Sequence, residues 1–199
     1  MLRQVVLRVL LSIEFFCGSA NWSCKLSETS NGNWQCTTVD VEPSPGRMFP
    51  QRRHCVSDLS LESNVARFEA ELRQGRYDAV HFGTECRTFS RGTKPPFRTN
   101  KFLDGLPGLT KDKHAIAVTG NRLVNTTIRL WWAGQYGARM KRKRVAMSWG
   151  NPATSMMWLV RGARAIMQEC DELEHCSNVV TAYCRDGRPY RKNTRILAT

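Results

Sequence analysis

The residues of this chain with the clearest capacity for chemistry are Gly83-Thr84-Glu85-Cys86-Arg87-Thr88-Phe89-Ser90. Cys86 is followed by Arg87, Arg91, Lys94 and Arg98. Cations favour the thiolate form of a cysteine and can also hold a phosphate backbone. Glu85 opposes the first effect by raising the thiol pKa. Two readings of this loop stay open, a nucleophile beside a nucleic-acid strand or an inert buried cysteine in a basic loop. A second group is Phe16-Cys17-Gly18-Ser19-Ala20, a small-residue turn after an apolar run, with Asp40 22 residues beyond Gly18. Such a turn lets backbone approach a ligand, and an acid at the next strand end grips ribose hydroxyls. One glycine stands where a dinucleotide fingerprint has three, so the turn lacks the full pattern of a pyrophosphate cradle. Asp58 either accepts a hydrogen bond from an adenine amino group or serves as a helix cap.

The chain has 199 residues, 30 Lys and Arg against 17 Asp and Glu, and a net charge of +13. This balance points to a polyanionic partner, nucleic acid before membrane. The length predicts one domain over 1–199, and the apolar and charged fractions exclude collagenous, low-complexity and wholly disordered classes. Arg3, Arg8 and Glu14 interrupt the most apolar segment, which argues against a membrane span or a secretion signal and for an intracellular protein. The eight cysteines form no Cys-x-x-Cys pair, and the spacing of Cys170, His175, Cys176 and Cys184 matches no common zinc site. No metal is expected.

Periodicity supplies the elements that would position these residues. Strands are expected at Val5–Phe16, Gln35–Val41, His54–Leu59, Tyr77–Phe82, Val145–Trp149, Val179–Cys184 and Arg195–Leu197. Helices are expected in the polar stretch that follows the Cys17–Ala20 turn and runs to Asn31, over Leu61–Gln74 and Lys113–Gly137, and from Pro152, at a first helical position, to about Glu169. Gly83–Asp112 has neither period and reads as a long basic active-site loop. Strands alternating with helices predict an α/β, doubly wound, mostly parallel sheet, in which ligands bind beyond the carboxyl ends of the strands. The loops at Cys17–Trp22, Asp40–Pro45, Asp58–Leu61, Gly83–Ser90 and Gly150–Ser155 then share one rim. The basic run Arg139–Arg144 falls on the opposite rim, either as a solvated turn or as a localisation or nucleic-acid patch.

Glu14-Phe-Phe-Cys-Gly-Ser-Ala, the loop Gly83–Ser90 and Gly150-Asn-Pro resemble, in order, three motifs of the cytosine-5 DNA methyltransferases, and the segment from Tyr183 to Arg195 resembles their later arginine motif. The resemblance implies a Rossmann-like methyltransferase fold and S-adenosylmethionine as cofactor, lined by Phe16, Gly18 and Ser19, with Asp40 on its ribose and Asp58 on its adenine. It implies that Cys86 attacks C6 of a cytosine in DNA, activating C5 for methylation. Arg87, Ser90, Arg91, Lys94, Arg98, Asn151, Arg191 and Arg195 would contact the nucleic acid. The family's catalytic glutamate is Gly150 here, the proline before the nucleophile is Glu85, a candidate replacement acid, and the second glycine of the first motif is Ala20. Weak or lost activity follows from the missing acid. A noncatalytic nucleic-acid-binding module and an RNA cytosine methyltransferase are the alternatives.

Overall fold

The computed structural model describes residues 8–18, 20–29, 33–43, 49–182 and 193–199. Its strands are β1 (Leu10–Phe15), β2 (Trp34–Asp40), β3 (Arg52–Val56), β4 (Ala79–Phe82), β5 (Ala146–Pro152), β6 (Ser177–Ala182) and β7 (Asn193–Ala198). Its helices are α1 (Asn21–Thr29), α2 (Glu62–Arg73), α3 (Lys111–Met140) and α4 (Arg161–Glu172). The strands form one sheet in the order β3-β2-β1-β4-β5-β7-β6. β1 to β5 are parallel, and β7 runs antiparallel to both neighbours. This is a Rossmann-like α/β fold. Its order reverses between β1 and β4, the switch point at which such sheets open a crevice.

Side chains on β1 alternate between two buried faces, so the strand reads as apolar on one side only. Ile13 and Phe15 face the main core, where Phe15 stacks on Phe82 and meets Phe68 edge-on. Ser12 and Glu14 face α1, and the Glu14 carboxylate accepts a hydrogen bond from Ser23 N at 2.9 Å. An acid from a neighbouring strand therefore caps the first turn of α1, which carries no acidic residue of its own there. Burial raises the Glu14 pKa, and the hydrogen bonds from Ser23 counter it.

The other helices complete the core. Val65, Phe68 and Leu72 are the buried stripe of α2. α3 packs against α2 at Gly137, where a Cβ would overlap the Leu72 carbonyl oxygen and come within 2.9 Å of Gly75 N. Arg129 of α3 bridges Glu62 and Glu69 of α2; burial raises the Glu69 pKa, and its pairing with Arg129 and Arg73 outweighs that and lowers it.

Several expected boundaries move. β1 begins at Leu10, and the Val5 end of the expected strand lies outside the described residues. Pro152 ends β5 instead of starting a helix. Its carbonyl accepts from Ser155 N and from the Trp158 indole, and the Ser155 hydroxyl then caps a short 3-10 turn, Met156–Leu159, before α4 starts at Arg161. The basic segment after β4 is ordered. It contains a 3-10 turn at Arg87–Phe89 and a tongue whose two arms meet at Phe97–Leu106 and Thr99–Phe102. Among the described residues no helix is long and apolar enough to cross a membrane.

Candidate functional site

The loops flanking the β1/β4 switch point are built differently. After β1, Phe16, Gly18 and Ala20 all take left-handed backbone conformations, with φ of 57, 47 and 54°. Two of the three are not glycine, and a left-handed residue with a Cβ costs about 1–2 kcal/mol. The turn persists because neighbours hold it: Cys17 N donates to Val39 O at 3.2 Å, Ala20 N to Cys17 O at 2.7 Å, and Gly18 N to the Asp40 carboxylate at 2.9 Å. Asp40 also accepts from Val41 N at 2.8 Å. Asp40 thus shapes the loop it was expected to serve. Burial, then Asp40 and Glu14, push the Cys17 thiol up to about 11, which leaves it protonated and inert. Ser19 lies outside the described residues.

Asp58 folds back on the start of α2, where its carboxylate accepts from Ser60 N at 2.8 Å. Its carboxylate closes a turn ahead of the helix and does not cap it, since the N-cap position is Leu61 and no side chain bonds there.

The loop after β4 approaches the first loop directly, since a Cβ on Gly83 would sit 3.0 Å from Phe16 O. It is then fixed at successive points. Asn151, 4% exposed, donates from its amide to Thr84 O at 2.7 Å, and the Thr84 hydroxyl meets that of Thr127 on α3 at 2.7 Å. Cys86 stands half-buried at the head of the 3-10 turn, where its carbonyl accepts from Phe89 N at 2.9 Å. Glu85 beside it is exposed.

Arg98 pins the far end of this loop. Expected to contact nucleic acid, it is instead 1% exposed. Its guanidinium donates to Thr88 O, Thr88 Oγ1, Ala117 O, Asn121 Oδ1 and Leu103 O, and lies 3.8 Å from the centre of the Phe89 ring. Five donors in a planar fork suit a cluster of carbonyls that an apolar side chain would leave unpaired. Burial depresses the Arg98 pKa to about 10, which keeps it cationic at neutral pH. Gly120 makes room, because a Cβ there would overlap the Thr88 hydroxyl and come within 3.1 Å of Arg98 Nη2.

The remaining nucleic-acid candidates divide by exposure. Arg87, Arg91 and Lys94 are exposed on the rim, and Arg91 reaches Thr154 O at 3.3 Å and Asn100 Oδ1 at 3.0 Å. The half-buried Ser90 accepts at its hydroxyl from Gly92 N, two residues on, at 3.2 Å. Asn151 is interior, as described, and positions the Cys86 loop. Arg195 also turns inward, contacting Met167 Sδ at 3.4 Å with its guanidinium 5.8 Å from the Trp158 ring. Arg191 lies outside the described residues.

Sequence reasoning missed His81. It faces α1, stacked on Trp22 with ring centres 5.1 Å apart, and its Nδ1 meets the Ser148 hydroxyl at 2.8 Å. Burial pushes its pKa down to about 4, so the ring is neutral. A side chain at Gly150 would emerge 3.6 Å from His81 Cε1. The signal was available in the alternation of β4, which puts His81 opposite Glu14 in register, but a single histidine between valine and phenylalanine carries little weight alone.

On the opposite rim, Arg139 pairs with Glu169 at 3.4 Å and Lys143 with Asp78 at 3.2 Å, so two cations of the basic run are engaged in internal ion pairs.

No family model matches the chain, and no curated protein matches it in sequence. Among solved structures it is similar to a Plasmodium falciparum protein named as a ribosomal RNA methyltransferase, at 8% identity and a TM-score of 0.50, covering 96% of this chain and 85% of that one. It also matches a short chain dehydrogenase from Leptospira borgpetersenii with bound NAD+, at 16% identity and a TM-score of 0.45, over 68% of this chain. The matched region spans about half of that dehydrogenase, 48% of its length. The likeness to the Plasmodium protein is a likeness of fold.

Proposed function

We propose that the chain is an S-adenosylmethionine-dependent methyltransferase acting on C5 of cytosine in DNA. The observation that supports this most is the pairing of two held loops across the β1/β4 switch point: a left-handed Gly18 turn fastened to Asp40, and a Cys86 turn fastened to Asn151 and Arg98. A nucleoside cofactor fits the first, where backbone can approach closely and Asp40 can accept from ribose hydroxyls. Phe16, Gly18 and the adjoining Ser19 would line it, with Asp58 near the adenine. A nucleophile fits the second, because a thiolate held in a fixed turn attacks without first losing conformational freedom.

In this reading Cys86 adds to C6 of an extruded cytosine, and the electron density reaching C5 takes the methyl group from the sulfonium. The C5 proton then leaves to a base, and elimination of the thiolate restores the ring. Glu85 is the nearest acid in the chain to Cys86. Arg87, Arg91 and Lys94 supply cations to the phosphates on the same rim.

The test is transfer of labelled methyl from S-adenosylmethionine to DNA and to RNA by wild type and Cys86→Ala. Transfer to DNA that Cys86→Ala abolishes, with calorimetric cofactor binding intact, is the expected result. Transfer to RNA alone moves the substrate, and cofactor binding lost even in folded wild type overturns the proposal. A noncatalytic nucleic-acid-binding module is favoured by one observation, the glycine at 150. Nucleic-acid binding without transfer to either polymer is its signature.

A further inference from the structure

We infer that Phe102 is a base-stacking contact, an aromatic ring on which an unpaired nucleotide of the nucleic-acid substrate lies. The inference rests on the nucleic-acid reading above and names the residue that would engage a base outside the Cys86 turn.

From Arg87 to Lys113 the chain carries seven cations and two acids, Asp104 and Asp112. The root of the tongue within this segment is rigid. Phe97 is 6% exposed, Leu106 N donates to Phe97 O at 2.9 Å, and the buried Arg98 holds the Leu103 carbonyl. The tip is a closed turn in which Phe102 N donates to Thr99 O at 3.1 Å, and it is tied sideways through Asn100 to Arg91. Phe89 and Phe97 in the same segment are buried, whereas Phe102 is 39% exposed. Lys101 Nζ lies 5.5 Å from its ring centre, with Lys94 and Arg87 exposed on the same segment.

An exposed aromatic ring beside a lysine, on a segment rich in exposed cations, is the composition that binds single-stranded nucleic acid: the cations track the phosphates, and the ring accepts any base face. Lys111 and Lys113 strengthen the case. They flank Asp112 in the first turn of α3 and add two cations to the basic segment that carries Phe102.

The test uses the full chain and fluorescence anisotropy with a labelled single-stranded DNA of roughly 20 nucleotides, an RNA of the same sequence and the matching duplex, over a salt series. Phe102→Ala should weaken binding to at least one single strand by roughly 5- to 100-fold without changing the slope of log affinity against log salt. Phe102→Tyr should retain affinity, and Lys101→Met should lower the slope. Unchanged affinity in Phe102→Ala overturns the inference, as does an equal loss in Phe102→Ala and Phe102→Tyr with a lowered melting temperature, which marks a packing role. If wild type transfers methyl to nucleic acid while Phe102→Ala binds normally, only the stacking contact falls. If wild type binds none of the three probes, the nucleic-acid reading falls and takes the contact with it.

Discussion

Ala20 is the residue at which the backbone bears the plainest cost. It is fully buried and left-handed, a conformation in which its Cβ is disfavoured by about 1–2 kcal/mol and a glycine is not. Ala20→Gly should therefore raise stability to chemical denaturation by about 1 kcal/mol, net of the greater freedom glycine gains on unfolding. A loss instead would mean that the methyl's burial outweighs the strain. His81 gives a prediction in pH. Its folded pKa near 4 lies below the ordinary 6.5, so the unfolded chain takes up the proton first as pH falls. The stability associated with neutral His81 is complete above pH 6.5 and is lost as pH drops toward 4, by roughly 1–3 kcal/mol. His81→Gln, which keeps a hydrogen-bonding group for Ser148, should flatten that part of the stability profile relative to wild type. Superimposable profiles would show that the ring is solvated.

Among the elements, α3 does most to position the Cys86 loop, and small residues allow it. Gly120 admits Thr88 and Arg98 against the helix, and Gly137 admits the end of α2. Alanine is the better helix former by about 1 kcal/mol, yet Gly137→Ala places its methyl on a backbone carbonyl that cannot rotate away. A net loss of about 2 kcal/mol or more is expected by denaturant titration. Gly150→Ala is the contrasting case, since its Cβ meets His81 at an ordinary 3.6 Å, and should change stability by less than about 0.5 kcal/mol. Equal effects at the two positions would remove close packing as the reason for Gly137.

For the whole molecule, the distribution of the +13 charge matters more than its sum. The carboxyl-end rim presents Arg87 and Lys94 as exposed cations, while Arg139 and Lys143 at the other rim are engaged by Glu169 and Asp78. Charge reversal at Arg87 and Lys94 should weaken nucleic-acid binding at least about tenfold more than reversal at Lys141 and Arg144, and should reduce the salt slope by about 1 for each phosphate no longer neutralised. The opposite ranking in a filter-binding or anisotropy assay would move the interface to the far rim. Both pairs of substitutions avoid the buried Arg98, whose replacement would disturb the loop itself.

The sequence alone determined the order of strands and helices, the doubly wound class and the loops at strand ends, because these follow from local periodicity and short connections. The small-residue turn around Gly18 and the acid at the next strand end were legible in the same way, whereas the bond from Gly18 N to Asp40 is a product of the β1–β2 pairing. Only the tertiary structure decided which polar side chains face inward. Arg98, Asn151 and Arg195 read as surface groups from their type alone, and whether each meets a carbonyl, a thioether or water depends on elements up to 67 residues away. The same holds for Pro152, whose residue type suits a helix start or a strand end equally. β7, arriving from the other end of the chain with Thr194 opposite it, extends β5 through that proline and moves the helix start to Arg161. Pairing between strands distant in sequence is a property of the assembled sheet, and no window along the chain contains it.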